Sequence, residues 1–239
     1  MTNNNDIADD VLAQMRNQTI YPETLDAIVA LSRKTFGWYT KHALRCIEYP
    51  WIVERCRSLG DHVLDVGAGV SPVPVFLATR ENKKVVTVDY NSSVVAYEAV
   101  ARRNEWGFLD YSVVDPSMSS HNVDISDFKP EQKFDVIYSI SVIEHMPAEI
   151  RRKMVGVFGE VAAPNADVLL TIDLYGASMD LWNHDRGEPV EPRETHGSLR
   201  DVTAEFEALG FETRYLEILR RSRPDTPGDL AMLHMARRV

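Results

Sequence analysis

The architecture of this chain follows from one stretch, Val63-Leu64-Asp65-Val66-Gly67-Ala68-Gly69-Val70-Ser71-Pro72-Val73-Pro74. Its first residues are mostly apolar and β-branched, which is typical of a buried strand in a parallel sheet. Gly67 and Gly69 allow the backbone to turn sharply and to come close to a ligand. Pro72 suits the first position of a helix, whose free amides and partial positive charge favour an anion. The stretch therefore predicts a strand, a ligand-binding turn and the start of a helix.

Asp65, at the end of this strand, narrows the choice of ligand. A carboxylate here would repel the pyrophosphate of a dinucleotide, and Pro72 stands where the dinucleotide-binding pattern G-x-G-x-x-G has its third glycine. S-adenosylmethionine fits better, because it carries an amino-acid end and a cationic sulfonium. A glycine turn by itself is also found in ordinary strand–helix connections.

Composition and charge favour a small-molecule ligand. The 239 residues are 44% hydrophobic and 26% charged, with a net charge of −10, which argues against a nucleic acid held on a broad basic surface. Cys46 and Cys56, ten residues apart on one predicted helix, are too far from each other for a disulfide. We therefore expect reduced thiols and a cytoplasmic location. The protein is also expected to be a monomer or homodimer with no membrane partner. The polar N-terminus is unlike a signal peptide.

Strand–helix alternation begins at Asp61 and predicts a parallel sheet with helices on both faces. The predicted strands are His62–Val66, Lys84–Asp89, Phe134–Ser139 and Asp167–Asp173, with one more at either Phe108–Val114 or Asn122–Ile125. The predicted helices are Pro72–Glu81, Ser92–Trp106, Pro147–Ala163 and Ser198–Leu209. Two final strands, Phe211–Leu219 and Asp229–Val239, are expected to pair antiparallel.

Residues 1–60 precede the first strand and are predicted to form a helical cover for the domain at 61–239, the two making one structural domain overall. Apolar spacing predicts helices at Asp6–Asn17, Pro22–Phe36 and Tyr39–Leu59, the last interrupted or restarted at Pro50. Tyr49 and Trp51 are expected in the core. Tyr21, Trp38 and Tyr39 lie nearer to helix breaks and are candidate contacts to a substrate.

Two acidic residues are candidate contacts to a nucleoside. Asp89 ends the second strand twenty residues after Gly69, where nucleotide-binding sheets place an acid for the ribose hydroxyls. Tyr90 and Asn91 follow it and are candidates to flank the adenine and ribose. Asp124, with Ile125 beside it, is predicted to accept the adenine amino group, and Asp115 is the alternative.

These motifs, taken in order, resemble the class I S-adenosylmethionine-dependent methyltransferases of the small-molecule type. The resemblance rests on residues 63–74, 88–91, 124–125 and 134–147, and it covers about Asp61 to Val239. It implies a Rossmann-like fold with a seven-stranded, mostly parallel sheet, with S-adenosylmethionine as methyl donor and S-adenosylhomocysteine as product. It implies that the methionine end of the donor lies against Asp65, Gly67, Ala68 and Gly69, and that its ribose lies against Asp89. It also implies that the transferred methyl group lies beside Ser139, Ile140 and Ser141.

Glu144 and His145 follow the fourth predicted strand and are the candidate catalytic residues. An imidazole can take a proton near neutral pH, and this position lies at the carboxyl edge of the sheet, where α/β proteins bind ligands. The alternative is that both residues only cap or pack the entry to the next helix. The pair also resembles the metal-binding Glu–His pair of methyltransferases that act on RNA 3′ ends. Ser141 stands where those have a further Glu, and no metal is expected.

Residues 175–197 show no clear period and are predicted to be a lid over the substrate. Trp182 is a candidate apolar wall, and His184, Arg186 and His196 are candidate polar contacts. The alternative is a loop whose charges face water.

The expected reaction is methyl transfer to an oxygen or nitrogen of a small molecule. Oxygen is slightly favoured, because His145 offers a base. The alternatives are a metal-assisted methyltransferase acting on RNA ends, a nicotinamide-dependent oxidoreductase on a similar sheet, and a binding module that has lost turnover.

Overall fold

The computed structural model describes residues 6–102, 105–185, 187–220 and 227–237. The main sheet has seven strands and is mostly parallel, as the sequence predicts. They are β1 (His62–Val66), β2 (Lys84–Asp89), β3 (Ser119–Asn122), β4 (Phe134–Ile140), β5 (Ala162–Tyr175), β6 (Phe211–Leu219) and β7 (Pro227–Arg237). The α-helices are α1 (Asp9–Arg16), α2 (Pro22–Phe36), α3 (Arg45–Arg57), α4 (Pro72–Arg80), α5 (Ala148–Val161), α6 (Arg193–His196) and α7 (Leu199–Glu207). The chain divides into two compact units, residues 1–124 and 125–239.

In the first unit, β2 lies between β1 and β3 and runs parallel to both. Val63 and Leu64 of β1 are completely buried, as the apolar run predicts. In the register of β2 and β3, Asp89 is paired with Asn122. Because the strands are parallel, the residues that follow β1, β2 and β3 emerge at the same edge of the sheet.

In the second unit, β4 runs parallel to β5. β7 lies between β5 and β6 and is antiparallel to both. The predicted antiparallel pairing of the two final strands is therefore confirmed, although β7 begins at Pro227 rather than at Asp229.

The N-terminal helices follow their sequence signals, except that α3 begins at Arg45 rather than at Tyr39 and has no interruption. α2 has the predicted bounds, because Pro22 opens it and Gly37 ends it in the left-handed conformation at φ +80°. α3 runs without a break through Pro50. Pro50 is the sixth residue of this helix, where its missing N–H removes one helical hydrogen bond. Among the described residues, no helix has the length and apolar character needed to cross a membrane.

The connection from β2 to β3 is not the helix predicted at Ser92–Trp106. Val94–Val95 instead pairs in parallel with Phe108–Leu109, and a 3₁₀ helix spans Tyr97–Arg102. The β-branched pair of valines favours this extended pairing. The third strand of the sheet, Ser119–Asn122, coincides with neither predicted position.

Candidate functional site

The turn after β1 requires glycine at Gly69 for two reasons. The first is its φ of +51°, which lies in the left-handed region that residues with a side chain disfavour; Gly67, at φ +78°, lies in the same region. A Cβ added at Gly69 would lie 2.6 Å from the backbone oxygen of Glu105. The turn is therefore shaped by a close approach of the chain to itself.

Three amides of this turn donate to acceptors within the chain. The Gly69 amide donates to Oδ2 of Asp89 at 2.6 Å. The Val70 amide donates to the Glu105 carbonyl at 2.9 Å, and the Ser71 amide donates to the Tyr111 hydroxyl at 2.7 Å. Buried N–H groups need acceptors, and the chain itself supplies them.

Two carboxylates flank the turn. Asp65 is the penultimate residue of β1, and only 2% of its surface is exposed. Asp89 ends β2, and its bond to Gly69 confirms that this acid lies beside the glycines. Burial raises the pKa of the Asp89 carboxyl, and the hydrogen bond from the Gly69 amide opposes that shift.

Tyr111 holds the turn from a 3₁₀ helix that spans Tyr111–Val113. Its hydroxyl accepts the Ser71 amide and lies 3.0 Å from the carbonyl oxygens of Gly69 and Ser71. Burial raises the pKa of Tyr111 well above its usual range, so the hydroxyl stays neutral and can donate. Sequence reasoning missed this residue, and no local pattern marks it.

Glu105 connects the N-terminal helices to the turn. Its carbonyl accepts the Val70 amide. Its carboxylate accepts the Thr40 hydroxyl at 3.1 Å and lies 3.3 Å from Nε of Arg45. The same Arg45 pairs at 2.6 Å with Glu48, which is fully buried. The position of the Glu105 backbone is thus set by side chains of the N-terminal cover.

The two acidic residues that are candidates to contact the adenine lie at opposite ends of β3. Asp124 comes two residues after the end of β3, at the carboxyl edge of the strand. Asp115 precedes β3, and its carboxylate accepts the amide and hydroxyl of Ser117 at 2.8 and 2.7 Å. Those bonds lower the pKa of Asp115.

The residues after β2 have different surroundings. Tyr90 is 75% exposed. The Asn91 amide donates to Oδ1 of Asn122, and Nδ2 of Asn122 donates to the Asn91 carbonyl, both at 3.0 Å. Asn91 therefore ties the end of β2 to that of β3, while Tyr90 presents an open ring.

Trp38 and Tyr39 are core residues in this structure rather than surface contacts. They are 1% and 0% exposed. The Trp38 indole donates to the carbonyl of Val100 at 2.9 Å, and the Tyr39 hydroxyl donates to that of Arg45 at 3.1 Å. Tyr21 is half-buried at the start of α2. Tyr49 and Trp51 are buried, as predicted.

In the second unit, β4 ends in a strained turn. Ser139 and Ile140 are buried on the strand, while Ser141 has φ +48°. A non-glycine residue in the left-handed region costs about 1–3 kcal/mol, and such strain clusters at functional sites. The Ser141 amide donates to the Thr171 carbonyl at 3.0 Å. The turn leads directly into a 3₁₀ helix at Ile143–His145.

That 3₁₀ helix brings Glu144 and His145 beside Asp173, near the end of β5. Oε1 of the fully buried Glu144 accepts the Asp173 amide at 2.9 Å. Nδ1 of His145 donates to the His184 carbonyl at 2.6 Å. Sequence reasoning missed Asp173. A signal was available, because the predicted strand Asp167–Asp173 ends at this residue and ligands bind at the carboxyl ends of such strands.

The predicted lid is an ordered segment. The Trp182 amide donates to the Asp173 carbonyl at 2.9 Å, and His184–Asp185 pairs antiparallel with Glu188–Pro189. The rings of Trp182 and His184 stack at 4.6 Å between centroids. Arg186, the remaining polar candidate on this segment's hairpin, lies outside the described residues.

His196 is buried rather than open to a substrate. It is 0% exposed. Its Nε2 donates to the Glu144 carbonyl at 2.9 Å, and its Nδ1 lies 2.8 Å from Oε1 of Glu191. The same Oε1 accepts the Ala148 amide at the start of α5. In this structure His196 positions the backbone of Glu144.

Comparisons with known proteins agree with this geometry. Residues 45–216 match the methyltransferase domain family, and no curated protein matches the sequence. Among solved structures, the glycopeptide N-methyltransferase MtfA with S-adenosylmethionine is 14% identical at a TM-score of 0.55, over 80% of this chain and 92% of that one. The 1,6-didemethyltoxoflavin-N1-methyltransferase of Burkholderia thailandensis is 12% identical at 0.57, over 98% and 92%. Magnesium protoporphyrin IX methyltransferase from Synechocystis PCC 6803 is 16% identical at 0.54, over 90% and 82%. By its family match and its fold, the chain belongs to the class I S-adenosylmethionine-dependent methyltransferases.

Proposed function

We propose that this protein transfers a methyl group from S-adenosylmethionine to an oxygen or nitrogen of a small molecule. The observation that carries the proposal is the pair of carboxylates, Asp65 and Asp89, beside the glycine turn. A pyrophosphate at this turn would meet the Asp65 carboxylate, whereas Asp89 stands where the ribose hydroxyls of either ligand would be accepted. A ligand with a cationic centre and ribose hydroxyls suits them, which favours S-adenosylmethionine over a nicotinamide dinucleotide.

The first unit supplies the residues proposed to hold the donor. Asp65 and the turn Gly67-Ala68-Gly69 take its methionine end, and Asp89 accepts its ribose hydroxyls. Asp124 accepts the adenine amino group, with Ile125 next to it in sequence. The position of Asp124 after β3 supports this choice over Asp115. The exposed ring of Tyr90 is available to cover the nucleoside.

The second unit supplies the residues proposed to act on the acceptor. When bound, S-adenosylmethionine supplies an electrophilic methyl group and a good leaving group. The chain must orient the acceptor, exclude water and promote loss of the acceptor's proton. His145, held by the His184 carbonyl, and Glu144 carry that last task. Ser139 and Ile140 lie on the strand that leads to them.

Aromatic side chains of residues 175–197 support a small-molecule acceptor. Trp182 stacks on His184, and Tyr175 lies 4.7 Å from Trp182 between ring centroids. The three solved neighbours named above are a glycopeptide N-methyltransferase, a magnesium protoporphyrin IX methyltransferase and a 1,6-didemethyltoxoflavin-N1-methyltransferase. These support a small-molecule acceptor here, with Tyr21 as a further half-buried contact.

Calorimetry with S-adenosylhomocysteine tests the donor site. The purified chain is expected to bind it, and NADH is expected not to compete. Asp124→Asn should weaken binding, whereas Asp115→Asn, which alters a turn aspartate before β3, should not. A chain that binds NADH and not S-adenosylhomocysteine would refute the proposal.

Kinetics of His145→Ala test the acceptor side, after a screen of small-molecule acceptors with methyl-labelled donor. Turnover should fall by about 10²-fold or more, while the affinity for S-adenosylhomocysteine stays near that of the unmodified chain. His62→Ala is the matched control, because His62 begins β1 at the opposite end of the strand from the glycine turn. Equal turnover in the two variants would remove His145 from the mechanism.

A further inference from the structure

Two adjacent residues that follow β4 and one residue near the end of β5 bring three side chains together. One ligand atom from each of Glu144, His145 and Asp173 lies within 4.8 Å of the other two. Glu144 is fully buried, Asp173 is 6% exposed and His145 is half-buried. The cluster is therefore mostly removed from solvent, with the imidazole as its more open member.

The hydrogen bond of His145 fixes the tautomer of its neutral ring. Because a backbone carbonyl can only accept, the bond from His145 to the His184 carbonyl at 2.6 Å places the proton on Nδ1. Nε2 then keeps its lone pair. A histidine that binds a metal through one nitrogen commonly donates the other N–H to a backbone carbonyl in this way.

The backbones of both acids are held as well. The Glu144 carbonyl accepts Nε2 of His196 at 2.9 Å, and the Asp173 carbonyl accepts the Trp182 amide at 2.9 Å. Oε1 of Glu144 accepts the Asp173 amide, which links the two acids directly. Such outer contacts fix the direction of metal ligands.

We propose that Glu144, His145 and Asp173 bind a divalent transition-metal cation. Two carboxylates brought together with an imidazole form a mixed oxygen and nitrogen donor set, which suits Mn²⁺, Fe²⁺, Co²⁺ or Zn²⁺ better than the all-oxygen set of Ca²⁺ or Mg²⁺. The cation also offsets the repulsion between two buried carboxylates.

This site deepens the proposed function and rests on it for its role, because its ligands include the residues assigned to the acceptor. When bound, the cation supplies a Lewis acid that favours acceptors with a hydroxyl or carboxyl oxygen. His145 then promotes loss of the acceptor's proton as a ligand of the cation, and the proton itself passes to water.

Metal binding by the full chain tests the site without reference to activity. After removal of metals with a chelator, Mn²⁺ is titrated and free Mn²⁺ is followed by electron paramagnetic resonance. A single Mn²⁺ should bind per chain, and Asp173→Asn and Glu144→Gln should each weaken it about tenfold or more. Asp167→Asn is the matched control, since Asp167 also lies on β5 and bonds His234 at 2.6 Å outside the cluster. Its affinity for Mn²⁺ should equal that of the unmodified chain.

A second measurement keeps the test decisive if the variants do not fold, as judged by circular dichroism. Pulsed paramagnetic resonance on the unmodified chain should show nitrogen coupling to bound Mn²⁺, from the imidazole ligand. The absence of that coupling, equal affinity in Asp173→Asn, or no saturable binding of Mn²⁺, Co²⁺ or Zn²⁺ up to about 1 mM would overturn the site.

A different result from those that overturn the cation site would refute the proposed function. S-adenosylhomocysteine should bind the metal-free chain as tightly as the metal-loaded one. If it binds neither form while Mn²⁺ binds, the methyl-donor assignment fails and the cation site stands. If the metal-free chain binds it and methylates an acceptor at full rate with chelator present, the cation has no role in the reaction and the methyltransferase function stands.

Discussion

Replacing Gly69 by alanine should destabilise the folded chain in two ways. At φ +51° an alanine loses about 1–2 kcal/mol relative to glycine. Its Cβ would also lie 2.6 Å from the Glu105 oxygen, closer than the 3.0 Å that real Cβ contacts respect. Because the obstructing atom is backbone, Glu105 must move.

Movement of Glu105 has a calculable consequence. Its carbonyl accepts the amide of Val70, a fully buried residue, at 2.9 Å. A buried N–H left without an acceptor costs about 1–3 kcal/mol. Gly69→Ala should therefore destabilise the chain by about 2–5 kcal/mol in total, and it should weaken binding of S-adenosylhomocysteine, because the proposed donor site is built on the same turn.

Gly210→Ala is the matched control for this experiment. Gly210 has φ +84°, and an added Cβ there meets nothing within 4 Å. It therefore carries the conformational cost of about 1–2 kcal/mol alone. Urea unfolding of the three proteins gives the comparison. Equal losses of unfolding free energy in the two variants would show that the approach of Glu105 does not constrain the turn.

Three further predictions concern single side chains. Tyr111→Phe leaves the Ser71 amide without its acceptor and should lower the free energy of unfolding by about 1–3 kcal/mol in urea. Burial raises the pKa of Asp89, so the folded state binds its proton more tightly than the unfolded state does. The stability of the unmodified chain should therefore fall relative to Asp89→Asn as the pH rises above about 4, and parallel melting curves across pH would contradict this. Arg151→Met breaks an ion pair with Glu205 at 3.0 Å in which Arg151 is 1% exposed. The loss should be about 3 kcal/mol or more, and a change below about 1 kcal/mol in thermal unfolding would count against the pair.

The strands and the turn could be predicted because their signals are local. A buried strand followed by Gly67 and Gly69 defines its own ends, and α2 is bounded by Pro22 and Gly37. Parallel pairing then places Asp89 beside the turn by a general rule of such sheets. These inferences need the order of the residues and no knowledge of distant contacts.

The rest of the site depends on contacts between residues far apart in sequence. Tyr111 reaches the turn across forty residues, and nothing near it in sequence distinguishes it from a core tyrosine. The segment after Ser92 has helical composition, yet Val94 and Val95 pair with a strand that begins at Phe108. Sequence alone also does not show which acceptors the chain brings to the amides of the turn.

The Glu105 carbonyl has a consequence for ligand affinity. Any molecule that uses the Val70 amide must first displace this carbonyl, so the chain carries its own competitor for the site. The apparent affinity is then the intrinsic affinity multiplied by the fraction of molecules in which the turn is vacated, and each tenfold decrease in that fraction weakens binding tenfold. Since Thr40 and Arg45 hold Glu105 in place, we expect substitutions at these two residues to change the affinity of any ligand that uses this amide.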